Sequence, residues 1–532
     1  MSMFENALKG TINNEVSITE NGAVGFKTTG TKLLDLNFAT SSLRSKSDLE
    51  IQNMFSEAFY ESPAYAIKWL FFLRDRESGM GERRSFRIMF SWLARTRPEV
   101  AKQLISFVPE FGRFDDLWTL IDTDISDEMV KIVAKQLEDD ILALKTDKKN
   151  ISLLAKWMPS VNTSSAATKA LARKFCKALN MSERTYRKTL SALRAKLDVI
   201  EVKMSSKNWS EIDYEKVCSK ANLKYNSAFL RNDEARRREY LGKLEKGEAK
   251  INASVAFPSD IVHSYAEKGV SYCWYGRNNS NVTVDPALEA MWKALPDFVA
   301  KEDSNNTIVV ADGSGSMTCK AVNSTNMSCL EVANSLAIYF SEKLAGPYAN
   351  KYITFSARPQ YVDFTNCKSL AEKLNMAYQH NECANTNIEA VFKLILDSAI
   401  NYNLKQSDLP KNIVIVSDME FDQGVDIGSG NYRWRDADKY SAQKNALFVR
   451  IGEAYKRAGY TLPRLVYWNV CSRTGTIPLK QAENGVALVS GYSPAVAKMV
   501  FSGKLDPWEV LKETLDSKRY ECIGNAIADV LK

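Results

Sequence analysis

The stretch "TIVVADGSGSMTCK" (307–320) sets an apolar, β-branched run against a loop of Asp, Gly and Ser. An unbroken apolar run of this length, without alternation, predicts a strand buried on both faces. It ends at a carboxylate, Asp312, followed at two-residue spacing by the hydroxyls of Ser314 and Ser316. Further runs of the same type follow it: YITF (352–355), NIVIV (412–416), LVYWNV (465–470) and VALVS (486–490). Between them lie helical patterns such as CLEVANSLAIYFSEKLA and NIEAVFKLILDSAI. Strands alternating with helices predict a mostly parallel sheet with helices on both faces. In such sheets ligands bind outside the carboxyl ends of the strands. DGSGSM falls at that end of the first one.

Asp312, Ser314 and Ser316 offer oxygen atoms from alternate positions of one turn, and Gly313 and Gly315 let the backbone curve around a small ion. Hard oxygen donors suit Mg²⁺ first, with Mn²⁺ or Ca²⁺ as the other choices, rather than zinc. Two more pieces are expected at neighbouring strand ends. "ANTNIEAVFKLIL" supplies Thr386 just ahead of a helix, and "NIVIVSDMEFD" supplies Asp418 just after a buried strand. Ordinary turn and cap roles are the alternative for such residues, but they do not account for all three pieces at strand ends. The set Asp-x-Ser-x-Ser, loop Thr and strand-end Asp resembles the metal-ion-dependent adhesion site (MIDAS) of von Willebrand factor A domains. That resemblance implies Ser314, Ser316 and Thr386 as direct hydroxyl ligands, with Asp312 and Asp418 binding directly or through water. It leaves the sixth position to water or to a partner's carboxylate. One departure is Asn387 after Thr386, where an Asp is frequent in A domains.

The first 300 residues read differently. "NMFSEAFYESPAYAIKWLFFLRD" and "RSFRIMFSWLARTRPEVAKQLISFV" carry apolar residues at three- and four-residue spacing, broken by Gly and Pro. The expectation is an N-terminal α-helical, HEAT-like repeat region over 1–300 and a doubly wound A-like domain over 301–532, although no clean repeat period is present. "RDRESGMGERRSFRIMFSWL" (74–93), "FVPEFGRFDDLWTL" (107–120) and "LLAKWMPSVNTSS" (153–165) resemble helical segments of the TROVE domain of Ro autoantigens. "YRKTLSALRAKLDVIEVKMSSKNWSEIDYEKVCSKA" (186–221) is similar to an uncharacterised branch of that superfamily in bacteria, phages and plants. The resemblance implies a ribonucleoprotein scaffold binding structured or misfolded small RNA, with a nuclease or another protein at the metal site. A phage or bacterial source fits that branch.

Charge points the same way. The net charge of +7 is concentrated in residues 151–250, which hold 22 Lys and Arg against 11 Asp and Glu. A local basic surplus is what phosphate backbones select. The candidate RNA contacts are Lys169, Arg173, Lys174, Lys177, Arg184, Arg187, Lys188, Arg194 and Lys196, with Tyr186 as a base-stacking ring. Lys169, Arg173 and Lys177 share a helix face at four-residue spacing. A solvated helix face is the alternative reading. His263 in "FPSDIVHSY" is a further RNA candidate, or else a hydrogen-bonded core residue.

Composition narrows the rest. Nine scattered cysteines without a Cys-x-x-Cys pair argue against a disulfide framework and a zinc ribbon, and two histidines leave little for a Ser-His-Asp hydrolase. No run approaches the roughly 20 apolar residues of a membrane span, so a cytoplasmic protein without membrane attachment is expected. "GMGERR" (79–84) lacks the Gly-Lys-Ser/Thr ending of a phosphate loop and reads as a helix turn. Asp115 and Asp116 read as helix caps rather than a general base. A metal-assisted hydrolase would need a base beside the ion, and Glu420 or Asp422 is placed for it. Nothing demands turnover, so a non-catalytic scaffold is the first expectation. A metal-dependent protein-interaction module without RNA is the second.

Overall fold

A computed structural model describes residues 16–146, 151–271, 279–299, 304–321, 326–422, 447–478, 486–500 and 506–531. The chain forms two compact units. One comprises Ile51–Asn53, Ser62–Asn252 and Asp516–Lys532, and the other Met1–Glu50, Met54–Glu61 and Ala253–Leu515. Residue 300 is therefore not the border between them, for packing reasons given below. Among the described residues no helix is long and apolar enough to cross a membrane.

The first unit is helical. Its main helices are α1 (Pro63–Arg74), α2 (Arg84–Thr96), α3 (Ser126–Lys145), α4 (Ala166–Ala178), α5 (Glu183–Lys196), α6 (Ser219–Asn232) and α7 (Glu234–Glu245), with shorter helical segments between them. Helix α1 starts on Pro63, whose fixed φ suits the first turn, and buries Ala66, Ile67 and Trp69–Arg74. Phe71 packs edge-on to Phe86 and Phe90 of α2 and to Phe111, at centroid separations of 5.9, 6.4 and 5.3 Å. Gly79 in the following turn is needed for close approach, since a Cβ there would lie 2.1 Å from the Phe72 carbonyl oxygen. The C-terminal helix, Lys518–Ile527, belongs here and not to the sheet. Tyr520 is buried against Phe72 and Phe111, and its hydroxyl donates to Asp75 at 3.0 Å. Asp75 is fully buried and takes a second charge-assisted bond from Arg519.

Asp115 and Asp116 are held by arginines. Asp116 is fully buried and accepts from Arg74 Nε and Arg87 Nε, each at 2.7 Å, and from the Arg113 amide at 2.9 Å. Asp115 pairs with Arg87 at 2.8 Å and with Arg113. Arg113 stacks on Trp157, 3.6 Å from the ring centroid. The two carboxylates act as the counter-ions of an arginine cluster whose innermost member, Arg74, is buried.

The second unit begins with a hairpin of β1 (Val16–Ile18) and β2 (Val24–Phe26), and its sheet contains β3 (Thr307–Asp312), β4 (Lys351–Phe355), β5 (Gln360–Asp363), β6 (Asn412–Ser417), β7 (Arg464–Asn469) and β8 (Val486–Ser490). The order across the sheet is β8-β7-β6-β3-β4-β5. All neighbours are parallel except the edge pair β4–β5. The chain runs outward from β3 through β4 and β5, then returns to build β6, β7 and β8 on the other side. The topological switch point is thus between β3 and β6, where a doubly wound sheet opens a crevice. β3 is buried at all six positions, as its unbroken apolar run predicts. Ile308, Val310, Ile413, Ile415, Leu465 and Tyr467 share one core with the helix Ile388–Asn401. The helix α8 (Cys329–Lys343) is buried from Cys329 to Ser341, and Phe340 meets Trp468 of β7 at 5.1 Å.

The N-terminal segment joins this unit through backbone pairing. Phe26 N donates to Ile477 O at 2.8 Å, and Ala23 N donates to Phe421 O at 3.3 Å. Asn469 Nδ2 caps the Phe38 carbonyl of the helix Lys32–Phe38 at 2.8 Å. These bonds, and the docking of the helix Pro258–Gly269 by His263 on Glu331, explain why residues on both sides of the helical unit fold with the sheet.

Candidate metal centre

The register that places Ala311 beside Val416 puts Asp312 next to Ser417, and the Ser417 hydroxyl donates to Asp312 Oδ2 at 2.5 Å. Asp312 Oδ1 accepts the Ser314 amide at 2.9 Å, which closes the turn. A Cβ on Gly313 would stand 2.7 Å from both Asn381 Oδ1 and Thr354 Oγ1, so any side chain there would force those two to shift. Ser314 and Ser316 present their hydroxyls 3.0 Å apart. Across the switch point, Asp418 follows β6, and the chain then turns through Met419 at φ 62°, a left-handed conformation unusual for a side-chain-bearing residue. The turn sends Asp418 towards the crevice and lets its Oδ1 accept the Glu420 amide at 3.2 Å.

Asp312, Ser314 and Asp418 are essentially inaccessible to solvent. Burial pushes the Asp312 carboxyl up to about 6, against hydrogen bonds from Ser314 and Ser417 that favour the anion. Burial and the charge of Asp312 together push Asp418 up to about 8. Two carboxylates this close in a desolvated site resist joint ionisation unless a cation joins them. Thr386 is buried in the adjoining loop, which is tied to the first turn by Gly315 N to Ala384 O at 2.8 Å and Cys383 N to Gly313 O at 2.9 Å. Its hydroxyl accepts from Asn21 Nδ2 at 3.2 Å. Two carboxylates and three hydroxyls fit a small hard cation, Mg²⁺ before Zn²⁺. Among the described residues no group of three His, Cys, Asp or Glu side chains is arranged to hold a metal, so a cation here depends on the hydroxyls as well.

Four residues at this site have no counterpart in the motif. Arg473 Nη2 lies 3.3 Å from Asp418 Oδ2 and 2.8 Å from Glu20 Oε2, so one face of Asp418 already meets a positive charge. Asn21 bridges the Thr386 hydroxyl and the Glu420 carbonyl. Glu20 and Asn21 come from the β1–β2 hairpin, and Ser417 from the strand itself. Only Ser417 was within reach of sequence reasoning, as the hydroxyl immediately before the strand-end Asp.

Glu420 and Asp422 are both engaged by hydrogen bonds. Glu420 is fully buried, and its two oxygens accept the amides of Glu20, Arg473 and Thr474 at 2.8, 2.8 and 2.9 Å together with the Thr474 hydroxyl. A carboxylate so occupied pins the 472–474 loop and has no lone pair left to take a proton from water. Asp422 accepts the Thr386 amide at 3.0 Å, and burial raises its carboxyl.

The basic segment divides into two groups. Arg173, Lys174 and Lys177 on α4 and Arg184, Arg187, Lys188 and Lys196 on α5 are exposed, and Lys169 is partly so. The opposite faces bury Ala172, Phe175 and Cys176 on α4 and Leu190 and Leu193 on α5. Ser165 and Ser182 cap the two helices by accepting the amides of Thr168 and Thr185. Tyr186 is not a free stacking ring: it is 1% exposed and its hydroxyl donates to Pro159 O at 2.8 Å. Arg194 is half-buried and engaged, donating to the carbonyls of Ala155 and Met158 at 2.8 and 2.7 Å and to Ser160 Oγ at 2.9 Å. His263 belongs to the other unit, where Nδ1 meets Glu331 Oε2 at 2.6 Å and Nε2 meets Glu267 Oε1 at 3.3 Å. Two carboxylates on one imidazole make a structural ion pair rather than a nucleic-acid contact.

Comparison with known proteins agrees with the uncharacterised branch that the helical half resembles. Residues 306–521 match the domain of unknown function DUF7788. A mimivirus protein, "Uncharacterized protein L728" of Acanthamoeba polyphaga mimivirus, is 27% identical over 538 residues, covering 94% of this chain and 87% of its own. The crystal structure of the Deinococcus radiodurans Ro protein aligns over 88% of this chain and 93% of its own, at 13% identity and a TM-score of 0.43. Residues 19–131 and 124–304 match the domain of unknown function DUF2828, more than half the chain, and the protein belongs to that family.

Proposed function

We propose that this protein is a non-catalytic RNA-binding scaffold. In this reading it holds structured or defective small RNA on the basic faces of α4 and α5, and its α/β unit carries a divalent cation, Mg²⁺ first, at which a protein partner docks. A cytoplasmic location goes with it. The observation that carries it is the exposure of Arg173, Lys174, Lys177, Arg184, Arg187 and Lys188 on two capped helices whose apolar faces are buried. Guanidinium and ammonium groups displayed without an apolar task suit phosphates, and release of counterions would drive the binding. The resemblance of 74–93, 107–120 and 153–165 to Ro segments supports RNA as the polyanion.

In the α/β unit, Asp312, Ser314, Ser316, Thr386 and Asp418 would hold the cation. It would supply a fixed positive charge with an open position for an anionic group of the partner. The full engagement of Glu420 supports binding over hydrolysis.

The test is to purify the protein at moderate salt and sequence the nucleic acid it carries, beside a variant with Arg173, Lys174, Lys177, Arg187 and Lys188 changed to Glu. Defined RNAs on the parent and none on a folded variant are expected, with affinity falling steeply as salt rises. Two folded preparations both free of nucleic acid would overturn the RNA reading. A protein-interaction module without RNA is then favoured by the ion pairs that already engage Arg173 with Glu183 at 3.0 Å and Lys174 with Asp122 at 2.6 Å. That reading expects Mg²⁺-dependent capture of a protein partner, lost in Ser314→Ala.

A further inference from the structure

We propose that Asn21 is a positioning residue of the metal centre, a role that rests on the cation reading above: its side-chain amide holds the Thr386 hydroxyl so that one lone pair is left for the cation. Asn21 sits in the tip of the β1–β2 hairpin, "TENGA" (19–23). Thr19 N donates to Ala23 O at 2.9 Å and Gly22 N to Thr19 O at 3.1 Å, which closes a tight turn with Gly22 in the left-handed region at φ 90°. Glycine meets that φ without strain, and Asn is a frequent turn residue. The tip lies along the loop that follows Asp418. Glu20 N donates to Glu420 Oε2 at 2.8 Å, Thr19 Oγ1 to Phe421 O at 2.6 Å, and Gly22 pairs antiparallel with Asp422. The backbone on both sides of Asn21 is thereby fixed, and its side chain is placed against Thr386.

The hydrogen bonds leave one way to orient the amide. Asn21 Nδ2 lies 2.6 Å from the Glu420 carbonyl oxygen, which can only accept, so the nitrogen and not the oxygen of the amide faces the site. The same NH₂ group donates its other hydrogen to the Thr386 hydroxyl at 3.2 Å. A hydroxyl has one proton and two lone pairs, so this bond leaves Thr386 a single lone pair to give. The backbone of Thr386 is clamped as well: its amide donates to Asp422 Oδ2 at 3.0 Å and its carbonyl accepts from Asp422 N at 3.1 Å. Thr386 is 1% exposed, whereas Asn21 stands at the surface with water in reach. The bond therefore serves the threonine more than the asparagine. A partner that does not touch a metal but orients a ligand that does carries a measurable part of the affinity.

The test is a double-mutant cycle on the full chain, read as Mn²⁺ affinity by electron paramagnetic resonance of the free ion, with a urea melt of each protein. Thr386→Ala should weaken Mn²⁺ binding. Asn21→Ala, and Asn21→Ser, which suits the turn but is too short to reach Thr386, should weaken it about 10-fold or more. Adding Asn21→Ala to Thr386→Ala should cost no further affinity, because the effect of Asn21 on the cation passes through that hydroxyl. Thr19→Val removes the bond to Phe421 O and the bond from Ala23 N, so it loosens the same tip without touching Thr386. It should lower the urea midpoint and leave Mn²⁺ affinity close to the parent's. A parent that binds no Mn²⁺, or a Thr386→Ala protein that binds it like the parent, would overturn the cation reading and the role of Asn21 with it. Where those two behave as expected, unchanged affinity in Asn21→Ala, equal losses in Asn21→Ala and Thr19→Val, or a further loss in the double variant would overturn the role of Asn21 alone.

Discussion

Removing or adding a divalent cation should change the stability of the α/β unit in a way that depends on pH. The carboxyls of Asp312 and Asp418 stand at about 6 and about 8 in the cation-free fold, against about 3.9 in an unfolded chain. Between those values the folded protein keeps protons that the unfolded chain has released, so stability falls as pH rises. The contribution is whole below pH 4, and it is lost as pH climbs through 6 and then 8. One pKa unit is worth about 1.4 kcal/mol, so the loss amounts to several kcal/mol by pH 8.5. A cation at the ionised pair would compete with protons and offset part of that loss. At a concentration one hundred times its Kd, Mg²⁺ would add about 2.7 kcal/mol, which for a unit of about 320 residues raises Tm by about 4 °C. At pH 5.5 protons occupy the pair and the same Mg²⁺ should raise Tm far less. The assay is differential scanning fluorimetry at pH 5.5 and 8.5, with EDTA or Mg²⁺, on the parent and on Asp418→Asn. The variant should melt higher than the parent in EDTA at pH 8.5 and should not respond to Mg²⁺. A parent that responds equally at both pH values, or an Asp418→Asn protein that keeps the Mg²⁺ shift, would refute the reasoning.

Three further outcomes follow from buried charges elsewhere. Glu420→Gln places an amide NH₂ among N–H donors and should cost about 2–4 kcal/mol in a urea melt; a loss under about 1 kcal/mol would mean that Glu420 does not pin the 472–474 loop. In the helical unit, Asp116→Asn leaves the buried Arg74 without its counter-ion and should cost about 3–5 kcal/mol, measured by the same melt. Hydrogen bonding to Glu331 raises the His263 imidazolium above its ordinary value, so the pair contributes stability that is complete below about pH 6.5 and lost as pH rises through the folded value. His263→Gln should therefore destabilise the protein at pH 6 and leave it close to the parent at pH 9, seen as converging urea midpoints; equal losses at both pH values would count against the ion pair.

What was legible in the sequence was what repeats or punctuates. β3, β4, β6, β7 and β8 each carry a short unbroken apolar run because both faces of the sheet are covered, and Asp312 and Asp418 stand out as charges where those runs stop. The faces of α4 and α5 were partly legible. Tyr186, Leu190 and Leu193 repeat at helical spacing, and that stripe marks Tyr186 as a core residue despite the cations around it. The border between the units was hidden for a different reason. β1 and β2 are three residues each, too short to show a period, and what fixes their hairpin is backbone pairing of Ala23 with Phe421 and of Phe26 with Ile477, more than 390 residues further along the chain. Tyr520 and Arg519 likewise carry no local sign that Asp75 is their partner.

Arg473 shows what this long-range assembly means for the site. Its neighbours in the sequence, "VCSRTGT", form no motif, and the residue gains its role only because the β1–β2 hairpin brings Glu20 to one side of it and the switch point brings Asp418 to the other. The guanidinium keeps its charge at any physiological pH, so it partly neutralises Asp418 when no other cation is present. A divalent ion arriving between Asp312 and Asp418 would meet that charge and would favour its movement towards Glu20. Any metal affinity of this site would therefore be set by residues from the two ends of the unit as much as by the motif. The order of Mn²⁺ affinities follows from this: Arg473→Gln should bind more tightly than the parent, and Glu20→Gln, which leaves the guanidinium to Asp418 alone, should bind more weakly. Electron paramagnetic resonance titration of free Mn²⁺ reads both directly, and the opposite order would show that Arg473 supports the cation site instead of competing for it.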